Sequence, residues 1–315
     1  MRDQVRQAYL FTGPPGLGRR SLALRFAQAI NCPKPTQPGE PCRTCRTCLQ
    51  IERMQHADLD VVRAEGGSRD IKVDQIRALQ HRLSLAPYES KHRIALLLDF
   101  QNANPSAQNA LLKTLEEAPD KVILLLTSDT PEALLPTIAS RCEVIRLRPL
   151  PVKAAAEYLA GTKKMDSGQA LRLAHLAGGR IGYALRLQEK PGELEKSSDA
   201  LHQLLELLPA SRRVRFAYAE GLTRDYGKSR ENLAQAMQVW LSLWRDVLLC
   251  ASGSSAPLAN LEVAAQVRSL AESVGMAAAR QMVVSIEAGL EKLDANANPR
   301  LLAEVLLLDM PQVHA

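Results

Sequence analysis

Aromatic residues are scarce in this chain: Phe, Trp and Tyr together make up 4% of its 315 residues. The core must therefore be largely aliphatic, which suits helices packed on a parallel sheet. No apolar run reaches the ~18 residues that a membrane span needs. Residues 1–8 are polar and lack the apolar stretch of a signal peptide. The chain reads as soluble and cytoplasmic, with no membrane partner. A dense run of one charge is missing too. The net charge of +6 is a mild tilt toward anionic partners, short of the basic face that a plain DNA-binding module would carry. Internal repeats and long low-complexity tracts are absent. The length admits two or three domains.

What is present alternates in its first half. Candidate strands are Ala8–Thr12, Leu59–Ala64, Arg93–Asp99, Val122–Ser128 and Val144–Leu147. Runs such as Ile94–Leu98 and Val122–Leu126 are continuously apolar, as in strands buried on both faces of a parallel sheet. Asn104-Pro105 offers a helix cap with proline in the first turn, and Pro119 closes that helix after Ala118. Strand–helix alternation of this kind predicts an α/β domain. Leu147–Pro151 ends the pattern, short helices follow to about Leu187, and Gln188–Ser198 reads as a linker. The remainder is helical. Leu233, Met237, Trp240, Trp244, Val247 and Leu248 form one apolar stripe, and Leu301, Leu302, Val305, Leu306 and Leu308 form another.

Gly13-Pro14-Pro15-Gly16-Leu17-Gly18-Arg19-Arg20-Ser21 has the glycine spacing of a phosphate-binding loop. It follows a strand and precedes a helix over Ser21–Ile30, with Leu22, Phe26 and Ile30 on one face. A working loop is Gly-x4-Gly-Lys-[Ser/Thr]: its amides cradle phosphates, its lysine reaches the terminal phosphates and its hydroxyl ligates magnesium. Here Arg19 replaces the lysine, Arg20 replaces the hydroxyl residue, and Ser21 comes one position late. Asp99 is a vestigial magnesium-binding aspartate, and Phe100 follows where a glutamate would polarise the attacking water. Gly13, Gly16, Gly18, Arg19, Arg20, Ser21 and Asp99 thus make a degenerate nucleotide site. Hydrolysis is not expected and ATP binding is doubtful. Phosphate binding through backbone amides stays open.

Six cysteines in a chain of this kind argue for metal more than for disulfides. Cys42, Cys45 and Cys48 are spaced C-x2-C-x2-C, and Cys32 lies ten residues upstream in a loop rich in proline. Four thiolates at this spacing favour a closed, structural zinc site. An iron–sulfur cluster and disulfides are weaker alternatives. Cys142 and Cys250 stand apart and read as ordinary buried residues.

Several stretches then converge: Ala8-Tyr9-Leu10-Phe11-Thr12-Gly13-Pro14-Pro15-Gly16, Val73-Asp74-Gln75-Ile76-Arg77, Asn109–Pro119 (Asn-Ala-Leu-Leu-Lys-Thr-Leu-Glu-Glu-Ala-Pro) and Leu134–Cys142, which ends in Ser140-Arg141-Cys142. Along nearly the whole chain these resemble the bacterial clamp-loader branch of the AAA+ ATPases. The defective loop, and an end at Ala315 without a tau-type extension, resemble the delta-prime side of that family rather than its gamma/tau motors. Only seven residues precede Ala8, fewer than the family's lead-in that frames the adenine, so a truncated or reassigned start is one expectation.

The resemblance implies an AAA+ P-loop domain over 1–148 with a zinc module at 32–48, a small helical lid over 149–190 and a helical collar that oligomerises over 191–315. It implies a non-hydrolysing subunit of the DNA polymerase III holoenzyme that helps load the sliding clamp onto primed DNA. Its partners would be gamma/tau-type motors and a clamp-opening delta-type subunit, with clamp and DNA met through the complex. It also implies that Arg141, flanked by Ser140 and Cys142, is an arginine finger given in trans to a neighbour's ATP. The family's second sensor position falls on Gly182, near Arg180, and Thr127-Ser128 falls in its first sensor region. A divergent AAA+ ATPase, a motor or another DNA-maintenance enzyme, is the alternative.

Overall fold

The structure, a computed structural model, describes residues 5–65, 70–117, 119–225, 228–294 and 297–313. The chain divides into two units, Met1–Pro149 and Leu150–Ala315.

Unit 1 is an α/β domain. Its strands are β1 (Ala8–Thr12), β2 (Leu59–Val62), β3 (Arg93–Leu97), β4 (Val122–Ser128) and β5 (Glu143–Arg146). They form one sheet in the order β2-β3-β4-β1-β5, and every pairing is parallel. The continuous apolar runs follow from the pleat. Leu124 and Leu126 of β4 face one side, where they meet Ile76, Leu79 and Leu83 of α3 (Val73–Leu83) and Leu111 and Leu115 of α4 (Pro105–Glu116). Ile123 and Leu125 face the other, against Ala23, Leu24 and Ala27 of α1 (Arg19–Asn31) and Ile51 of α2 (Arg46–Glu52). Each fully buried aliphatic side chain contributes roughly 1.5–3 kcal/mol, so a strand buried on both faces cannot alternate with polar residues.

Two expectations need correction here. Helix α1 does not bury Leu22, which is exposed; its inward face is Ala23, Leu24, Ala27 and Asn31. Small alanines let the helix lie close on the sheet, and the larger Phe26 and Ile30 only flank that contact. The strand before Asp99 ends at Leu97, because Asp99 is left-handed at φ 50° and cannot continue it. The described part of α4 ends at Glu116, and Ala118 lies outside the described residues.

Unit 2 is helical. Residues 150–190 hold α6 (Val152–Lys163), α7 (Ser167–Leu176) and α8 (Ile181–Glu189), after the short α5 (Pro136–Ala139) of unit 1. These three close a small core of Leu159, Leu173, Ala174 and Ala184. A second core spans α9 (Pro191–Leu207), α10 (Arg212–Thr223), α11 (Ser229–Ala251), α12 (Ala264–Asp294, broken at Gly275) and α13 (Pro299–Asp309). The stripe on α11 lies in its centre, with Trp240 and Trp244 fully buried. A Cβ at Gly289 would come within 2.8 Å of Met237 Cε, so α12 passes close to α11 there and a larger residue would have to push the methionine end aside.

The linker expected over Gln188–Ser198 is instead mostly helix, since α9 begins at Pro191. Proline there is not a breaker but a first-turn residue, whose missing N–H has no intrahelical partner to lose. The C-terminal stripe also splits. Leu302 and Leu306 are buried, with Ala303 and Leu307, whereas Leu301, Val305 and Leu308 are exposed.

Candidate functional site

The C-terminal ends of β1, β3 and β4 meet at one place, as strand ends do in parallel sheets that bind ligands. Gly13 leaves β1, and its N–H donates to the Asp129 carbonyl beyond β4 at 3.0 Å. Gly13, Gly16 and Gly18 all have positive φ. At Gly13 a Cβ would lie 2.8 Å from the Leu147 carbonyl oxygen, so both the turn and the space demand glycine. The glycine spacing is therefore a property of the loop's path. Left-handed Gly18 releases α1 at Arg19, two residues earlier than expected.

Arg19 does not point into an open cradle. Its guanidinium is 9% exposed and forks between two carboxylates, Nη1 to Asp129 at 2.5 Å and Nη2 to Asp99 at 3.0 Å. Asp99 is held from behind, its N–H donating to Thr127 Oγ1 at 2.7 Å. Arg20 and Ser21 are exposed. Phe100 is fully buried in the core below the sheet, so the position expected for a water-directing glutamate is a packing position. These groups do not fit a magnesium–nucleotide complex. The cation at the lysine position is already neutralised, the position for the hydroxyl ligand carries a second arginine, and the two half-exposed acids both engage Arg19.

Arg141 follows the single turn of α5. Its Nη1 donates to the Thr137 carbonyl at 3.0 Å and its Nη2 pairs with Glu116 at 2.6 Å. The side chain is 36% exposed. Ser140 Oγ donates to the same Thr137 carbonyl. Cys142 turns inward against the α3–α4 core, where burial pushes its thiol up to about 12. The tripeptide thus anchors on Cys142 and presents Arg141 outward.

The cysteine cluster bridges α1 and α2. Cys32 caps the C-terminus of α1, Cys45 caps the N-terminus of α2, and Cys48 lies buried in its first turn. The ligand atoms of Cys32, Cys42, Cys45 and Cys48 lie within 4.8 Å of one another, and all four thiols are free. Cys32 and Cys42 sulfurs are 3.6 Å apart, near the ~3.8 Å expected across a tetrahedron with metal–sulfur bonds of about 2.3 Å. N–H groups of Cys42, Cys45 and Cys48 each donate to the preceding cysteine's sulfur at 3.4 Å. Such bonds favour thiolates: those from Thr44 and Cys45 hold Cys42 near 6, whereas burial pushes Cys48 up. The set fits one soft metal ion.

Comparison with known proteins agrees with this geometry. The family model described as "DNA polymerase III, delta subunit" matches residues 1–151. DNA polymerase III subunit delta' of Pseudomonas aeruginosa is 36% identical over 209 residues, 66% of this chain and 63% of that protein. Subunit delta' of Bacillus subtilis is 29% identical over 309 residues, 98% of this chain and 91% of that one. The chain is similar to DNA polymerase III delta' subunits. Subunit tau of Bacillus subtilis is 26% identical across 99% of this chain, which spans 58% of tau. The match likewise spans under two thirds of the Pseudomonas delta'.

Two partners of the expected site residues escaped sequence reasoning. Asp129 and Glu116 each bind one of the arginines singled out. Asp129 directly follows Thr127-Ser128 at the end of β4, and that strand end was its only signal. Arg180, beside the second sensor position, has its guanidinium 4.7 Å from the centre of the Tyr183 ring and donates to the Ala177 carbonyl. Gly182 is in the first turn of α8. No helix among the described residues is long and apolar enough to cross a membrane.

Proposed function

We propose that this chain works as a delta'-type subunit of the polymerase III clamp loader, helping to place the sliding clamp on primed DNA without hydrolysing ATP itself. Polymerase activity then resides in the complex. One observation carries the reading: the arginine at the phosphate-loop lysine position is buried and neutralised, while Arg141 is presented outward. Its pair with Glu116 is half-exposed on both sides, and surface pairs of this kind contribute only ~0–1 kcal/mol. Arg141 can therefore exchange Glu116 for a neighbour's γ-phosphate at little cost, and its fork suits two phosphate oxygens.

In this reading the cysteine cluster holds a structural zinc ion. Residues 149–190 act as the lid and 191–315 as the collar that joins gamma/tau-type and delta-type partners. The separate cores of the two helical regions and the exposed Leu301, Val305 and Leu308 on α13 support that division.

The test is Arg141→Ala in a reconstituted complex with motor and delta-type subunits. Assembly should persist. DNA-stimulated ATPase should fall in part, because an arginine finger contributes on the order of 10³–10⁵ in rate at its own site and only one motor faces this subunit. Arg141→Lys should rescue poorly, since lysine lacks the fork. Full ATPase and loading by a well-assembled Arg141→Ala complex would remove the trans role.

A further inference from the structure

Arg19 does more than spoil a nucleotide site. In a working phosphate loop, the aspartate at the end of the third strand faces a magnesium ion that comes and goes with its nucleotide. In this chain the corresponding acid, Asp99, and Asp129 just beyond β4 are bridged by one side chain from the first residue of α1. The planar guanidinium spans both because its two terminal nitrogens point in divergent directions. Further ties surround it. The Gly13 N–H binds the Asp129 carbonyl, the Asp99 N–H binds Thr127 Oγ1, and Ser128 Oγ binds the Thr130 carbonyl. Asp99 sits at φ 50° and ψ 52°, in the left-handed region, where the chain turns out of β3. β1, β3, β4 and α1 are thereby tied at the point where a motor's site opens and closes around its nucleotide.

We propose that Arg19 is a built-in cation that takes the place of magnesium–nucleotide, locking the strand ends of this chain in one arrangement that needs no ligand. The consequence is specific. Without Arg19, Asp99 and Asp129 face each other uncompensated, and the pocket acquires a demand for a divalent cation that the native chain lacks. This builds on the reading of the loop as non-hydrolysing and is independent of Arg141, because its test uses the isolated full chain and reads no activity.

Melting temperatures are measured for the zinc-loaded wild type, Arg19→Ala, Arg19→Lys and a neutral triple variant (Arg19→Met, Asp99→Asn, Asp129→Asn), each with and without millimolar Mg²⁺ and with MgATP. The wild type should respond to neither by more than about 1 °C. Arg19→Ala should melt lower by about 3 °C or more and regain much of that loss in Mg²⁺. Arg19→Lys should fall between the two, since a point charge reaches one acid at a time. The triple variant should melt above Arg19→Ala and ignore Mg²⁺. The proposal is overturned if MgATP raises the wild-type melting temperature by several degrees, if Arg19→Ala melts like the wild type, if Mg²⁺ leaves Arg19→Ala unmoved, or if the triple variant melts no higher than Arg19→Ala. Should Arg19→Ala fail to fold, Arg19→Lys against the triple variant decides: a lysine chain that is no better in Mg²⁺ and no worse than wild type without it also overturns it.

Discussion

A single buried carboxylate can organise a whole loop, and Asp58 does so. It is fully buried ahead of β2 and accepts N–H bonds from Tyr88 at 2.6 Å and from Glu89 and Ser90 at 2.9 Å. Burial raises its pKa, but the three N–H donors outweigh that, and the net shift is below the ordinary 3.8. A carboxylate whose folded pKa is depressed adds stability above its unfolded pKa and loses it as pH falls through the folded value. Asp58→Asn should therefore cost about 2 kcal/mol near neutral pH, the scale of hydrogen bonds to a charged group. The gap between variant and wild type should begin to shrink below about pH 4, where the unfolded chain's carboxylate protonates, and close as pH falls through the lower folded value. Urea titrations at several pH values would check it, and a gap that stays constant down to pH 2 would sink the assignment. Asp58 and Asp129 share a lesson about legibility. The four cysteines announce themselves because that residue type at that spacing has few other uses. An aspartate in a loop has many, and its role depends on N–H groups or guanidinium groups that lie 30 or 110 residues away in the chain.

Elements were easiest to read where burial is symmetric. β1 and β4 have the bounds that their apolar runs predict, because both faces must be covered. Reading failed where one residue type serves opposite ends: Pro191 looked like a break and starts α9. The junction of α9, α10 and α13 hid its key residue as well. Arg215 is 5% exposed and donates to five carbonyls, those of Leu207, Leu208, Leu307, Met310 and Pro311. These lie at the C-terminal ends of α9 and α13, where unpaired carbonyls and the helix dipole both welcome a cation. In sequence it is one arginine among Arg212, Arg213 and Arg215, with nothing to separate it from a solvated face. Arg215→Met keeps most of the volume but strands these acceptors. It should destabilise unit 2 by ~3 kcal/mol or more, measured as a lower denaturant midpoint of tryptophan emission. Arg213→Met, exposed on the same helix, should change it by less than ~0.5 kcal/mol. Equal effects for the pair would show the carbonyl cage to be incidental.

At the scale of the whole molecule, each unit closes its core with its own residues. The sheet cores draw only on residues of unit 1, and the two helical cores only on residues of unit 2. The chain carries a convenient reporter of this division. Both tryptophans, Trp240 and Trp244, are fully buried on α11 in unit 2, whereas the four clustered cysteines join α1 to α2 in unit 1. If the cluster holds zinc, removing the ion strands four ligands in a proline-rich loop and releases α2 from α1. Metal binding of this kind is itself folding free energy, so unit 1 should lose stability. The core around the tryptophans contains no residue from that loop and has no reason to follow. Elemental analysis should first find one zinc per chain; under a tenth of an equivalent, with all four thiols reactive, would remove the site. Chelation, or Cys45→Ser with Cys48→Ser, should then split denaturant unfolding. Far-UV circular dichroism should gain an early transition from unit 1, while the midpoint of tryptophan emission stays where it was. A tryptophan midpoint that moves down with the metal would mean that the two units unfold as one and that their separate cores are not separately stable.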